Sequence, residues 1–453
     1  MTTFKPLQNK KITVIGAARS GLGAALFLKT KGNQVFVSDF GKPSDLDEAR
    51  SILEANGIGL ETGGHSERVY QADCLVISPG VKSNAPVVHE ALNRHIPVIS
   101  EIEAGYQFFP HPIIAITGTN GKTTTTALTG HLLTVAGHRP LVAGNIGIAF
   151  TSTWEQWESV KKGVIEVSSF QLDHIADFSP ATSMILNITP DHADRYQTFN
   201  HYARSKFRIT ENQGPGQLFI YNADNDVIAP YLNEVQAQKW PFSVKKPLHF
   251  GCWLEGNRIM MQTNGKAIDL IGTQELLIPG IHNVANAMAA SLAAAREGVS
   301  PGVIAEGLRT FKGVHHRIEF IRTWNGLSFY NDSKATNTDS VKVALESFPG
   351  NIILLAGGQD PGNDYNDLLP LVKERVKTII AIGESAEKVT RSFTGTVPVI
   401  QGGMDLERSL NEAVRVSKPG DVVLLSPACK SFDMFKNYEH RGDVFRQLVL
   451  DLK

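Results

Sequence analysis

The sequence has few of the features that mark secreted, membrane-bound or metal-scaffold proteins. It contains only three cysteines in 453 residues, Cys74, Cys252 and Cys429, and their wide spacing matches no metal-ligand pattern. We expect each to be a core residue in a reducing compartment. No apolar run reaches membrane-spanning length, and the N-terminus lacks the charged start and apolar run of a signal peptide. We therefore expect a cytoplasmic protein.

The chain also lacks an excess of either charge. Lysine and arginine number 44 against 45 aspartates and glutamates, which gives a net charge of −1. Such a balance leaves no electrostatic footprint for nucleic acid or for an anionic membrane. A chain of 453 residues exceeds one ordinary core, so about three domains are expected. We expect a monomer that binds neither nucleic acid nor membrane.

The most informative stretch is an apolar segment, residues 113–117, that runs into a glycine-rich turn and then a helical pattern ending at Gly137. A general P-loop has a glycine five positions before Gly121, where this chain has Ile116, so the loop is shortened and opens at Gly118. Backbone amides, a lysine and a helix N-terminus at such a turn favour phosphate. The expected ligand is ATP or another nucleoside triphosphate. The residues of this phosphate cradle are Gly118, Thr119, Asn120, Gly121, Lys122, Thr123 and Thr124.

A second glycine turn follows the first apolar segment of the chain. Residues 12–15 and 34–39 form strand patterns around Gly16 to Gly21, and Asp39 stands where an acidic residue would hold a ribose. Ala18 replaces the middle glycine of the dinucleotide fingerprint and would crowd a pyrophosphate. NAD binding, a related nucleotide half-site and a simple tight turn all remain open for this segment.

Polar residues follow several further strand patterns, at the edge where open α/β sheets bind ligands. Ser78 and Gly80 follow residues 74–77, and Glu166 follows an apolar run from which a carboxylate can reach a metal at a P-loop. The turn at 189–196 groups Asp191, His192, Asp194 and Arg195, a set suited to metal or phosphate.

The last third of the chain repeats the alternation of apolar strands and polar turns. Strands are expected at 327–330, 352–356, 378–382 and 422–425. Their turns, at 331–337, 357–362 and 426–431, would lie at the ligand-binding edge of a sheet. The fold class is therefore α/β, with a Rossmann-like N-terminal domain at 1–110, a central P-loop ATPase domain with a parallel sheet at 111–313, and a Rossmann-like C-terminal domain at 314–453.

Four motifs carry a resemblance to a known family. They begin at Glu166 (Glu-Val-Ser-Ser-Phe-Gln-Leu), Asp191 (Asp-His-Ala-Asp-Arg-Tyr), Asn331 (Asn-Asp-Ser-Lys-Ala-Thr-Asn) and Ser426 (Ser-Pro-Ala-Cys-Lys-Ser-Phe-Asp-Met-Phe-Lys-Asn-Tyr). Together with the Thr-Gly-Thr-Asn-Gly-Lys-Thr-Thr string they resemble the Mur ligases and their folylpolyglutamate synthase relatives, and nearly the whole chain is covered. The last two motifs resemble the D-glutamate-adding branch. That branch implies ATP-dependent joining of D-glutamate to UDP-N-acetylmuramoyl-L-alanine through an acyl phosphate, in peptidoglycan precursor synthesis.

The resemblance also implies roles for individual residues. Lys122, His192 and Lys206 would be catalytic, with two Mg²⁺ sites formed by Thr123 with Glu166 and by His192 with Lys206, the lysine being carbamylated. ATP would further contact Asn283, Asn286, Arg317 and Asp332. The UDP-sugar would contact Ala18, Arg19, Ser20, Asp39, Ser78, Gly80 and Asn145. D-Glutamate would contact Lys334, Thr336, Ser431 and Tyr438.

One position departs from the family pattern. The turn after Gly357 and Gly358 commonly carries a lysine that pairs with a D-glutamate carboxylate, and this chain has Pro361 there. Proline has no backbone N–H to donate. Lys334 or Lys430 would have to supply the charge, or the affinity for the amino acid would be low.

Three other functions compete with a D-glutamate ligase. A ligase of the same superfamily that uses another amino acid or a folate would share the phosphate cradle. A nicotinamide oxidoreductase would rest on residues 16–39 alone and would leave the cradle unexplained. A non-catalytic nucleotide-binding module would show no turnover of ATP.

Overall fold

The computed structural model describes residues 7–145, 147–192, 195–360 and 362–453. The chain forms two compact units. The first comprises Met1–Gly272 with Ala285–Gly307, and the second comprises Thr273–Val284 with Leu308–Lys453. The first unit contains two sheets and the second contains one.

The N-terminal sheet has the strand order β3-β2-β1-β4-β5, and each pairing in it is parallel. This order matches the first five strands of the doubly wound dinucleotide-binding order 3-2-1-4-5-6. Its strands are β1 (Lys11–Ile15), β2 (Gln34–Asp39), β3 (Gly59–Thr62), β4 (Cys74–Ile77) and β5 (Val98–Ser100). Its helices are α1 (Arg19–Thr30), α2 (Asp47–Ala55), α3 (Pro86–Asn93) and α4 (Glu101–Tyr106).

The central sheet has nine strands in the order β14-β13-β12-β11-β10-β9-β6-β8-β7. The pairings from β7 to β12 are parallel, and antiparallel pairings join β12, β13 and β14. The strands are β6 (Ile113–Thr117), β7 (Pro140–Gly144), β8 (Lys162–Glu166), β9 (Thr182–Ile185), β10 (Leu218–Asn222), β11 (Gln238–Ser243), β12 (Gly251–Glu255), β13 (Arg258–Gln262) and β14 (Ile268–Gly272). The helices that follow β6 in the chain are α5 (Lys122–Val135), α6 (Ser169–Leu172), α7 (Phe199–Phe207), α8 (Ile281–Arg296) and α9 (Pro301–Thr310).

The C-terminal sheet has six strands in the order β15-β16-β20-β17-β18-β19, with one antiparallel pair, β15 and β16. The strands are β15 (Glu319–Trp324), β16 (Leu327–Asn331), β17 (Ile352–Gly357), β18 (Val376–Ile382), β19 (Val399–Gly403) and β20 (Val422–Leu425). The helices are α10 (Thr338–Glu346), α11 (Leu369–Arg375), α12 (Ala386–Phe393), α13 (Leu406–Val416) and α14 (Tyr438–Asp451).

The central strands are apolar along their length because helices cover both faces of a parallel sheet. All five residues of β6 and all six of β17 are buried. The three cysteines are buried and free, as expected for core residues. Within the described ranges, no helix is long and apolar enough to cross a membrane.

The expected α/β fold class is confirmed, with one parallel-rich sheet in each of three regions of the chain. The sheet changes between β5 and β6 and again between β14 and β15, close to the expected limits at residues 110 and 313. Those two limits themselves stay predictions.

Candidate active site

The phosphate cradle lies at the carboxyl end of β6, where the chain turns into α5. Gly118 has φ +157° and Gly121 has φ +82°, a region that favours glycine. A Cβ on Gly121 would lie 2.4 Å from Oδ1 of Asn286, which also accepts a bond from the Thr125 hydroxyl at 3.1 Å. The structure thus brings Asn286 to the cradle. The positive φ favours glycine at position 121, and a Cβ there would displace the Asn286 side chain.

Two ammonium groups converge on one oxygen of this turn. Lys122 Nζ and Lys206 Nζ each donate to the carbonyl oxygen of Gly118 at 2.9 Å. Lys206 comes from α7 and is only 2% exposed. Burial, and then the Lys122 charge, lower the pKa of Lys206 well below its usual value. The family resemblance assigned Lys206 to the metal site, whereas no local pattern in the sequence signals that α7 packs against the cradle.

The carboxylate proposed as a magnesium ligand lies on the neighbouring strand. Glu166 ends β8, is 2% exposed, and pairs in register with Ile116, two residues before the cradle. Lys206 interacts electrostatically with Lys122, Asp191 and Glu166, so these groups share one charged neighbourhood. Mg²⁺ commonly takes one or two protein carboxylates and draws its other ligands from water and phosphate oxygens. The donor set therefore fits magnesium held jointly with a bound triphosphate.

No group of three or more His, Cys, Asp or Glu side chains that could hold a metal occurs in the described part of the chain. The predicted ligand set includes a threonine and a lysine, so such a group is not what it requires. Two separate magnesium sites stay a prediction.

His192 is connected to Lys206 through an aromatic ring. The His192 ring lies 5.9 Å from the ring of Tyr202, and Lys206 Nζ lies 4.6 Å from the centroid of the same ring. The Tyr202 hydroxyl is 3.1 Å from the Thr119 hydroxyl in the cradle. Sequence reasoning missed Tyr202, although it lies four residues before Lys206 and so on the same helix face. Asp194 lies outside the described residues.

The seven residues predicted for the UDP-sugar line one cavity of about 850 Å³ in the first unit. They are Ala18, Arg19, Ser20, Asp39, Ser78, Gly80 and Asn145. Sequence reasoning missed two aromatic rings on the same wall, Phe40 and His65, because neither follows a recognisable motif. Phe40 is 76% exposed, and its ring centroid lies 6.1 Å from that of His65.

Backbone contacts join the wall of the cavity to β8, the strand beside the cradle. Asn145, on the cavity wall, donates its N–H to the carbonyl oxygen of Glu166 at 2.9 Å. Gly144, also on the wall, pairs with Glu166 in the β7–β8 register. The end of the cavity is therefore adjacent to the strand that carries the proposed metal ligand.

In the second unit, Asp332 and Arg317 lie near each other. Asp332 begins the turn after β16 and accepts bonds from the Ser426 hydroxyl at 2.8 Å and from the N–H of Ile318 at 3.2 Å. Burial raises the pKa of Asp332 to about 7, against the lowering effect of Arg317 and Arg441. Asn283, the remaining residue predicted to bind ATP, is buried in the first turn of α8 and donates to the carbonyl oxygen of Pro279.

Two of the predicted D-glutamate residues are in contact. Lys334 Nζ lies 5.8 Å from the ring centroid of Tyr438, and the Ser333 hydroxyl donates to the carbonyl oxygen of Tyr438 at 2.8 Å. Ser431 is buried in a neighbouring turn, and Thr336 is half-buried just before α10. Pro361 lies outside the described residues.

Arg441 ties these turns together and was missed by sequence reasoning. It is fully buried and donates to both oxygens of Ser333 and to the carbonyl oxygens of Cys429 and Lys430. Burial lowers its pKa to about 10. Backbone acceptors leave no signature in a sequence, so this role was not visible.

A lysine-rich cradle at the end of a parallel sheet, beside a separate ligand-sized cavity, defines a nucleotide-dependent α/β enzyme with two binding regions. Comparison with known proteins narrows this class. A family model described as "Mur ligase middle domain" matches residues 116–294, and "Mur ligase, glutamate ligase domain" matches residues 316–429. "Mur ligase MurD-like, N-terminal domain" matches residues 10–100.

Similar sequences extend over the full chain. The UDP-N-acetylmuramoylalanine--D-glutamate ligase of Salinibacter ruber is 45% identical over 98% of both chains. Its namesake in Pelotomaculum thermopropionicum is 42% identical over 99% of both. The chain belongs to the Mur ligase family and is an ATP-dependent ligase that forms amide bonds.

Solved structures agree on the fold. MurF from Acinetobacter baumannii has a TM-score of 0.59 at 18% identity, covering 97% of this chain and 93% of that one. UDP-N-acetylmuramate-alanine ligase MurC from Thermotoga maritima has a TM-score of 0.58 at 19% identity, covering 98% and 100%. At these identities the likeness concerns the fold alone.

Proposed function

We propose that this protein joins D-glutamate to UDP-N-acetylmuramoyl-L-alanine, converting ATP to ADP and phosphate. The observation that carries the proposal is the backbone bond from Asn145 in the large cavity to Glu166 beside the cradle. An acceptor bound in the cavity would reach with its carboxylate toward the γ-phosphate of ATP in the cradle. The full-length relatives in Salinibacter ruber and Pelotomaculum thermopropionicum carry the name of this activity.

The chemistry needs two transfers. An oxygen of the acceptor carboxylate attacks the γ-phosphorus and ADP leaves, which gives an acyl phosphate. The amine of D-glutamate then attacks the carbonyl carbon, the bond to the phosphate oxygen breaks, and the amine loses a proton to solvent. Catalysis of such steps is mostly positioning and neutralisation of charge.

The residues of the chain supply that neutralisation. Lys122, now on the carbonyl oxygen of Gly118, would turn to the β- and γ-phosphates. The amides of residues 118–124 would bind phosphate oxygens at the N-terminus of α5. Arg317, Asp332, Asn283 and Asn286 complete the proposed ATP contacts, and Arg317 suits a phosphate because its guanidinium is a planar fork.

Magnesium would be held by Thr123 with Glu166 and by His192 with Lys206. Bound Mg²⁺ withdraws charge from phosphate oxygens and makes the γ-phosphorus more electrophilic. We include carbamylation of Lys206 in the proposal, since only a neutral amine adds CO₂ and burial favours that form. Addition of CO₂ to the neutral amine, with loss of one proton, would leave an anion with two oxygens beside the metal.

The cysteines support a reducing compartment, since all three are buried and free. We therefore place the reaction in the cytoplasm. The proposal also includes that the protein acts as a monomer.

The proposal is tested by ADP release with UDP-N-acetylmuramoyl-L-alanine, Mg²⁺-ATP and either D-glutamate or L-glutamate. We expect turnover with D-glutamate only. Absence of D-glutamate-dependent ADP release would contradict the proposal. Turnover with another amine would mean that the amino acid bound by the C-terminal domain was misassigned.

D-Glutamate is proposed to lie near Lys334, Thr336, Ser431 and Tyr438, and its second carboxylate needs a cation. Arg441 is buried with its donors on carbonyl oxygens, and Lys388 pairs with Asp360 at 2.5 Å. Lys430 is exposed and lies beside Ser431. Its backbone forms two hydrogen bonds with the backbone of Gln359, which lies two residues before Pro361. We propose Lys430 as that cation.

Replacing this cation should change selectivity. In Lys430→Ala we expect the KM for D-glutamate to rise about tenfold, with the KM for ATP unchanged, because a charge-assisted contact is lost. Lys418→Ala, an exposed lysine at the other end of β20, is the matched control. An unchanged KM for D-glutamate in the Lys430 variant would reassign the charge to Lys334.

A further inference from the structure

Arg195 connects the wall of the large cavity to the turn that carries His192. Its guanidinium donates to three successive backbone carbonyls, those of Pro79 at 3.2 Å, Gly80 at 2.9 Å and Val81 at 3.3 Å. All three residues line the cavity. The arginine therefore fixes the turn after β4 from the side of the central sheet.

The same guanidinium lies against an aromatic ring on its other side. Its centre is 4.2 Å from the ring centroid of Phe170, a distance typical of cation–π stacking. The Phe170 ring in turn lies 4.8 Å from the ring of His192. A chain of contacts thus runs from the cavity wall through Arg195 and Phe170 to the proposed metal ligand.

The chemistry of this chain of contacts requires arginine. A planar fork with five N–H donors can bind three carbonyl oxygens and still present a flat face to a ring, which an ammonium group cannot do. Its acceptors are backbone carbonyl oxygens, which need a donor from the protein or from water. The contacts fix the position of the turn after β4 relative to the turn that carries His192. A single exposed ion pair would stabilise that arrangement less.

We propose that Arg195 is a positioning residue that couples binding of the UDP-sugar acceptor to binding of Mg²⁺-nucleotide. This inference rests on the proposed function, because it assigns the acceptor to the cavity and the metal to the His192 turn. An acceptor that orders the Pro79–Val81 turn also orders Arg195, Phe170 and His192. Each ligand then tightens the binding of the other by the same factor.

The test is titration calorimetry with UDP-N-acetylmuramoyl-L-alanine, with and without Mg²⁺ and a non-hydrolysable ATP analogue. In the parent we expect the analogue to tighten acceptor binding about tenfold, within the usual range of such couplings. In Arg195→Ala and Arg195→Lys we expect this factor to fall to about one and acceptor affinity alone to fall about tenfold.

A second variant separates the two halves of the contact chain. Phe170→Leu keeps the three carbonyl bonds, so we expect acceptor affinity alone within about twofold of the parent and a coupling factor near one. A merely structural role would not move the coupling factor. Arg204→Ala, which removes an exposed arginine of α7 paired with Glu234, should behave as the parent.

Two results would overturn the inference: a coupling factor near one in the parent, or an unchanged factor in both the Arg195 and the Phe170 variants. A parent that releases no ADP in the presence of D-glutamate would instead overturn the proposed function. The two failures are therefore distinguishable.

Discussion

Two turns in the first unit share a topology but carry opposite charge. The turn from β1 to α1 is organised by a carboxylate, since Asp39 accepts the N–H groups of Ala17 and Gly41, each at 2.6 Å. The turn from β6 to α5 is organised by two lysines, Lys122 and Lys206, which both donate to the carbonyl oxygen of Gly118.

The difference shows that a glycine turn between a strand and a helix does not decide its own ligand. At the first turn an anion already occupies an amide that a phosphate would use, so a hydroxyl-bearing group such as a ribose fits better. At the second turn, Lys122 keeps a cation at the cradle while burial and that charge lower the pKa of Lys206, so a polyanion fits better. Side chains from outside the turn set the choice.

Removing a cation from the second turn should have the largest effect. In Lys122→Ala we expect D-glutamate-dependent ADP release to fall about 10³-fold, because the lysine stabilises charge on the transferred phosphoryl group. Lys161→Ala, an exposed lysine of the same unit, is the matched control. Activity within about tenfold of the parent would show that the cation is not needed for the transfer.

A third turn, which follows β16, also carries a carboxylate, that of Asp332, and this one is buried. Asp332 has a folded-state pKa of about 7 against an ordinary value of 3.8. Its stabilising effect is complete below about pH 4 and is lost as the pH rises through about 7. Asp332→Asn should remove this loss and raise the free energy of unfolding at pH 8 by at most about 4 kcal/mol.

Urea unfolding of the full chain between pH 4.5 and pH 8 measures this effect. Asp339→Asn, at an exposed aspartate in the first turn of α10, serves as the control. A parent and an Asp332 variant with the same pH dependence would mean that Asp332 is ionised in the folded protein without cost.

Neutralising Asp39, the carboxylate of the first turn, should weaken binding of the UDP-sugar acceptor without affecting ATP. In Asp39→Asn we expect the KM for the UDP-sugar acceptor to rise about tenfold and the KM for ATP to stay within about twofold. Asp45→Asn, an exposed neighbour, is the control. An equal rise in both KM values would place nucleotide at both turns.

The smallest effect is expected from restoring the dinucleotide fingerprint. Ala18→Gly should change the KM for the acceptor by less than about twofold and should not create NAD binding, because Asp39 still occupies the amide of Ala17. Tryptophan fluorescence quenching by NAD measures this. Saturable NAD binding by the variant would show that Ala18, and not Asp39, excludes the dinucleotide.

Local patterns in the sequence predicted the sheets and the cradle well. The apolar run at 113–117 forms β6, and the expected strands at 327–330, 352–356, 378–382 and 422–425 overlap β16, β17, β18 and β20. Apolar strands with polar ends are short-range features, so they can be recognised from the sequence alone.

Long-range packing could not be predicted from the sequence. Lys206 contacts Gly118 across 88 positions, and its burial depends on where α7 packs. Arg195 and Arg441 act on backbone carbonyls, which every residue carries, so no pattern marks their partners. The family resemblance identified the seven cavity residues, whereas their convergence on one space required the fold.

The most direct test of the account is to titrate the parent and Lys122→Ala with two ligands, Mg²⁺ with a non-hydrolysable ATP analogue and UDP-N-acetylmuramoyl-L-alanine. We predict that the parent binds both at once, and that the variant loses the nucleotide while its affinity for the acceptor alone stays within about twofold. Competition between the two ligands in the parent, or an equal loss of both in the variant, would contradict the assignment of the two turns to two different ligands.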